Sequence, residues 1–125
     1  MDDRGGAPQS KPTVEVEILS AAVAVVALGG EHDLTTKTEV AQALARARPH
    51  PHVLVDLSAC NFMDSSTLAV LFVAYREQLE RDGRLEFVIR PGTLIQRVTK
   101  IAGLPTLTMI HETRAAGLAS LHVEE

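Results

Sequence analysis

Two uninterrupted apolar runs constrain this chain most: "AAVAVVALGG" at 21–30 and "HVLVDLS" at 52–58. A strand with one wet face alternates apolar and polar residues, whereas a strand covered on both faces does not. Both runs therefore read as buried strands. Between them, "LTTKTEVAQALARAR" (34–48) is helical, with Val40, Leu44 and Ala47 on one face and Thr36 and Glu39 at the spacing of a capping box. Pro49 and Pro51 stop that helix. A buried strand, a helix and a second buried strand make a right-handed crossover within a largely parallel sheet.

The rest of the chain extends this pattern. Val14, Val16 and Ile18 alternate with Glu15 and Glu17, which predicts a strand with one wet face. Ser20 and Ala21 are expected to turn it into the next strand, so the sheet is mixed. "GEHD" (30–33) is expected to be a loop and "ACNFMDSS" (59–66) a link. A helix follows with Leu68, Leu71, Phe72, Tyr75 and Leu79 at helical spacing, ending near Gly83. "RLEFVIR" (84–90) is a further strand. Thr93 and Gln96 are placed to cap a short helix carrying Leu94, Val98 and Ile101, with Gly103 after it. A last short strand is expected at 107–110 and a last helix at 113–121. The fold class is α/β, as one domain over 13–125 preceded by a flexible tail at 1–12.

Composition removes several functions. The chain has 125 residues and a formal net charge of -4, which argues against a general binder of nucleic acid. No apolar segment is long enough to span a bilayer, and "MDDRGGAPQSKP" has no apolar centre of the kind a secretory signal carries. The single cysteine, Cys60, has no partner for an internal disulfide and reads as a small buried thiol. A reducing cytoplasm fits these features. His50 and His52 flank Pro51, but His32, His111 and His122 lie far from them, so a metal centre is not expected. Neither a phosphate-binding glycine loop nor G-x-S-x-G is present. No cofactor is expected.

The stretch "NFMDSSTL" (61–68) holds Asp64, Ser65 and Ser66 where a strand turns into a helix. Such turns, at the carboxyl edge of the sheet, are where α/β proteins place their sites. Asp and Ser are preferred helix caps, and a phosphate on a hydroxyl there would meet free N–H groups and the positive end of the helix dipole. The helix behind is apolar nearly all round. Its first turns are therefore buried on both faces, or leave an apolar strip beside the serines for a partner. Glu31 and Asp33 fall at the same end of the sheet. Asp56 ends a buried strand as a phospho-acceptor does in receiver domains, but the acidic pair and the lysine of such a site are missing. It reads as a turn residue binding nearby N–H groups.

Taken together, "GEHD" with "LTT" and a helix, "VLVDLSACNFMDSSTLAVL", and "LEFVIRPGTLIQRVTKIAGL" resemble the STAS domain, and more closely the bacterial anti-sigma factor antagonists. The resemblance covers roughly residues 13 to 121. It implies a mixed sheet of four or five strands surrounded by about four helices, and a protein that is not an enzyme. Such proteins bind an anti-sigma factor that is also a serine kinase, and so free a sigma factor; phosphorylation of one serine blocks binding and a phosphoserine phosphatase restores it. Carried over, the acceptor is Ser65, with Ser66 as the alternative. The partner-facing surface comprises Gly30, Glu31, Asp33, Asp64, Ser66 and Thr67. No direct nucleic-acid or membrane contact is implied, and a monomer or weak dimer is expected. Thr67 stands where the family usually has Gly, and is expected to add a branched side chain beside the acceptor. His32 stands where the family prefers an apolar residue. One rival is an unphosphorylated STAS-like scaffold or ligand-binding module. The other is an enzyme using His32 as a base near Ser65 or Asp33.

Overall fold

The computed structural model describes residues 11–122. Residues 1–10 of the expected tail, and residues 123–125, lie outside the described residues. The elements are β1 (Thr13–Ile18), β2 (Val23–His32), a 3-10 turn (Leu34–Thr36), α1 (Lys37–Ala47), β3 (His52–Asp56), β4 (Cys60–Met63), α2 (Ser65–Glu80), β5 (Arg84–Val88), α3 (Leu94–Ile101), a second 3-10 turn (Leu104–Thr106), β6 (Ile110–His111) and α4 (Arg114–His122).

The sheet has six strands, in the order β1-β2-β3-β5-β6, with β4 also on β2. β1 and β2 form the expected antiparallel hairpin, Val16 opposite Val26. Every other pairing is parallel. β2 is covered on both sides because it outlasts β3: Val23 to Ala27 pair with β3, and Gly30 to His32 pair with β4. "GEHD" is thus largely strand rather than loop. Gly30, at φ 75°, supplies the positive-φ position where the register shifts and the strand changes partner. β4 is the strand that sequence reasoning did not separate from the following turn.

Alternation along the strands divides the core. Ala24, Val26 and Leu28 of β2, Val53 and Val55 of β3, and Leu85 and Phe87 of β5 face one side. There they meet Val40, Ala43, Leu44 and Ala47 of α1, Leu71 of α2 and Ile95 of α3. Each Val, Leu, Ile or Phe among them removed from water contributes about 1.5–3 kcal/mol, and each Ala less than about 1. The other side is thinner: Val25, Leu54 and Val88 pack under Leu118 and Leu121 of α4. Gly117 lets α4 settle there, since a Cβ would lie 2.8 Å from Leu54 Cδ1. Arg114 anchors the start of this helix through Asp56 Oδ2 (2.8 Å) and Glu17 Oε1 (3.0 Å). A buried carboxylate anchors its far part: Glu86 accepts from His111 (2.8 Å) and Arg84 (2.7 Å), with Ser120 Oγ at 3.4 Å.

Candidate functional site

Two strand-to-helix turns meet at the carboxyl edge of the sheet. In the first, Asp33 leaves β2 in an extended conformation, and its Oδ1 accepts from the Thr35 amide (2.9 Å) and the Thr35 hydroxyl (2.5 Å). Asp33, not the expected pair Thr36 and Glu39, caps this entry; Thr36 makes no side-chain capping bond. In the second turn, Asp64 leaves β4 extended, and its Oδ1 accepts from the Thr67 amide (3.0 Å) and the Ser66 hydroxyl (2.7 Å). The turns are joined by a backbone bond from Asp64 N–H to His32 C=O (3.1 Å).

Both carboxylates are held below the usual range. Asp33 is lowered first by the Thr35 hydroxyl and then by its amide, against the opposing charge of Asp64. Asp64 is lowered first by the Thr67 amide and then by the Ser66 hydroxyl. That mutual repulsion places two ionised groups near one another at the surface, so the edge is anionic before any modification.

The two serines differ. Ser66 is half-buried and has its hydroxyl committed to Asp64. Ser65, the first residue of α2, is exposed, and its hydroxyl has no partner among the described residues. Of the remaining expected residues, Glu31 near the end of β2 and Asp33 just after it are exposed, at the sheet edge where the Asp64 turn also lies. Gly30 does not join them: it is buried at the shift in register, its N–H bonded to Ala59 C=O (2.9 Å). Thr67 does not join them either. It is 0% exposed, and its hydroxyl is buried beside the Asp64 carboxylate without a well-formed hydrogen bond. The expectation of a branched side chain crowding the acceptor is corrected: as the third residue of α2, Thr67 points inward while Ser65 points out.

His32 is likewise internal, at 0% exposure. Its Nε2 faces Gly29 C=O (2.9 Å) and Thr13 C=O (3.2 Å) and so carries the proton, leaving Nδ1 toward the Thr36 hydroxyl (3.0 Å). Both ring nitrogens are occupied inside the protein, so His32 is not presented to Ser65 or Asp33 as a base. Asp56 behaves as the turn residue read from the sequence, accepting from the Ser58 amide (2.9 Å). Cys60 is buried, and desolvation pushes its thiol up to about 11. Among the described residues no group of three or more His, Cys, Asp or Glu is arranged to hold a metal, and no helix is long and apolar enough to cross a membrane.

Sequence reasoning missed two apolar side chains that frame the anionic edge. Leu34, directly after Asp33, is 67% exposed, and Phe62 of β4 is 41% exposed. The signal for Leu34 was the Asp-Leu-Thr order itself, which repeats Asp-Ser-Ser with an apolar residue in the outward position. Phe62 could not be assigned a face until β4 was recognised as a strand.

The family model described as Mlab, STAS domain matches residues 17–111. Among curated protein sequences none matches significantly. Among solved structures, the crystal structure of an anti-sigma factor antagonist from Mycobacterium paratuberculosis is similar over 92% of this chain and 97% of that one, with 28% identity and a TM-score of 0.79. The Bacillus cell fate determinant SpoIIAA in its phosphorylated form aligns over 88% of this chain and 100% of its own, with 18% identity and a TM-score of 0.69. A protein of Thermotoga maritima described as a putative anti-sigma factor antagonist aligns over 86% and 93%, with 16% identity and a TM-score of 0.69. At these lower identities the last two establish the shared fold.

Proposed function

The chain belongs to the STAS domain family, and we propose that within it this protein is an anti-sigma factor antagonist controlled by phosphorylation of Ser65. In this reading it acts in the cytoplasm without cofactor or catalysis. It binds an anti-sigma factor that is also a serine kinase, and a sigma factor is released. The kinase modifies Ser65 and ends the contact; a phosphoserine phosphatase reverses the modification.

One observation carries the reading: the Ser65 hydroxyl is exposed and uncommitted at the first position of a 16-residue helix, whereas the neighbouring Ser66 hydroxyl is bound to Asp64. A phosphate on Ser65 would meet the amide end of α2, where anions are tolerated, so the fold can accept the group. The same phosphate would add close to two negative charges beside Asp33 and Asp64. A partner that desolvates this edge would then face several kcal/mol of repulsion, roughly a thousandfold in affinity. The similarity to the Mycobacterium paratuberculosis protein supports the same reading.

The test is phosphopeptide mapping of the protein purified from its own host, followed by binding assays with the kinase-type anti-sigma factors encoded there. The expected result is phosphate on Ser65, unimpaired binding by Ser65→Ala and at least a hundredfold weaker binding by Ser65→Glu. Phosphate on Ser66 alone would reassign the acceptor. A chain never phosphorylated under any growth condition, whose Ser65→Glu variant binds as wild type does, would leave an unphosphorylated STAS-like module.

A further inference from the structure

We propose that the trough between α1 and α2 is a binding site for a single-chain amphiphile with an anionic head, of the fatty-carboxylate class. Both helices start at the carboxyl edge of the sheet and run the same way. Between them lies a cavity of about 280 Å³ walled by Ala41 and Leu44 of α1 and by Ala69, Val70, Val73 and Ala74 of α2. The apolar strip that the sequence pattern left open as an alternative is present. Ser65, Ala69 and Val73 follow one another at i, i+4 and i+8, and Val73 is 47% exposed. Apolar surface open to water along a shaped groove is a general mark of a binding site.

The two ends of the trough differ, and they select the occupant. At the upper end Lys37 lines the cavity, and its ammonium has no ion-pair partner among the described residues. At the lower end Arg48 and Glu77 line it and pair with each other across it at 3.1 Å. Lys37 and Arg48 stand about 16 Å apart along α1, at a rise of about 1.5 Å per residue. An apolar slot with a free cation at one end and a bar at the other suits a ligand with one anionic terminus and a chain that stops. The bar obstructs a partner helix, which would continue past it. The unpaired ammonium disfavours a cationic amphiphile by charge repulsion.

The assignment does not rest on phosphorylation of Ser65, and neither does its test. The full-length protein is titrated with sodium decanoate kept below its micelle concentration, and backbone amide shifts are followed by NMR. Saturable shifts are expected at Lys37, Ala41, Ala69, Val70 and Val73. Shortening the chain to octanoate and hexanoate should weaken binding roughly twofold per methylene, because each is buried on one side only. Lys37→Glu and Val73→Glu, both at exposed positions that leave the melting temperature nearly unchanged, should each weaken binding at least tenfold. Ser65→Ala should bind decanoate as wild type does. Three outcomes would overturn the assignment: no saturable shifts, wild-type affinity in both charge variants, or equal affinity for decyltrimethylammonium. Binding to phosphatidylglycerol vesicles without any response to monomeric decanoate would also overturn it.

Discussion

The turns at Asp33 and Asp64 use nearly the same device. In each, an aspartate leaves a strand, accepts a backbone N–H, and binds the hydroxyl of the residue two places on. That hydroxyl, on Thr35 or Ser66, is thereby committed, and the residue between is turned outward. In the first turn the outward residue is Leu34; in the second it is Ser65. The difference behind them is larger. Asp33 opens a three-residue 3-10 turn that runs on into the 11-residue α1, while Asp64 opens a 16-residue α-helix directly. Only the second turn presents α-helical amides at its own first residue to a phosphate. One local geometry thus yields an apolar contact point in one place and a modifiable hydroxyl in the other. What decides is the identity of a single residue and whether the turn after it is 3-10 or α-helical.

The largest predicted effect comes from the residue that joins the two turns. His32 binds Gly29 C=O and the Thr36 hydroxyl with its ring and accepts the Asp64 N–H with its backbone. His32→Leu would take the ring N–H away from Gly29 C=O and the ring acceptor away from the Thr36 hydroxyl, while the backbone bond to Asp64 N–H stays, at a cost of about 3 kcal/mol. His32→Gln keeps a donor toward Gly29 C=O and should recover about half of that loss. Urea unfolding with an unchanged m-value would report it; equal stability of His32→Leu and wild type would show that the turns are coupled by backbone alone.

A smaller effect, of opposite sign, is expected inside the second turn. The Thr67 hydroxyl is buried beside the Asp64 carboxylate without a well-formed hydrogen bond. Thr67→Val removes that hydroxyl at nearly constant shape and should stabilise by about 1 kcal/mol, raising the melting temperature by roughly 4 °C. Thr67→Gly, which restores the residue usual in the family, should instead destabilise by about 1 kcal/mol, a few tenths of it through helix propensity and the rest through packing lost at a fully buried position. If the Val variant melts lower than wild type, the hydroxyl donates to the Asp64 carboxylate beside it and is part of the cap.

These residues also show how far the sequence could be read. The periodicities of 2 and 3.6 located the hairpin, the crossovers and all four α-helices, because burial on a strand or helix face is written directly into residue order. The cap at Thr93 was legible for the same local reason, and its hydroxyl accepts from the Gln96 amide at 3.2 Å. The 3-10 turn was not legible: Asp33 captures the chain one turn early and pre-empts the capping pair Thr36 and Glu39. β4 escaped notice because four residues pairing with one neighbour show no alternation. Burial of Thr67 and His32 was hidden, since a hydroxyl and an imidazole between acidic residues look solvated. Continuing the spacing of Ala24, Val26 and Leu28 would have reached His32, had the strand been carried past Gly30.

The two caps should differ less in kind than in consequence. Asp64→Ala uncaps an α-helix directly and frees Ser66, so it should lower the melting temperature more than Asp33→Ala, which loosens the 3-10 turn ahead of α1. The pH dependence follows from the sign of the shifts. Both carboxylates are lowered in the folded protein. Their stabilisation is therefore complete above the unfolded aspartate range and lost as pH falls through the lower folded values. Melting curves taken from about pH 5 down to about pH 2 should fall less steeply for the double alanine variant than for wild type. Parallel curves would mean that the acid limb belongs elsewhere. The partly buried Asp56 and Glu86 are the next candidates, since both are lowered in spite of desolvation, Asp56 by Ser58 and Arg114 and Glu86 by His111 and Arg84.

The finest test converts one turn into the likeness of the other. Leu34→Ser gives the first turn an Asp-Ser-Thr order, with the new hydroxyl in the outward position and Thr35 still bound to Asp33. Leu34 is exposed, so the change should leave stability within about 0.5 kcal/mol. If an outward hydroxyl after a capping aspartate were all that a kinase required, position 34 would be modified as readily as Ser65. The structure argues for a second requirement, α-helical amides at the modified residue itself, which the 3-10 turn ahead of α1 lacks. Phosphopeptide mapping of Leu34→Ser from the native host should then find phosphate at 65 and none at 34. Modification at both positions would show that the aspartate-capped turn alone is the recognition element, and that α2 matters for holding the phosphate afterwards rather than for receiving it.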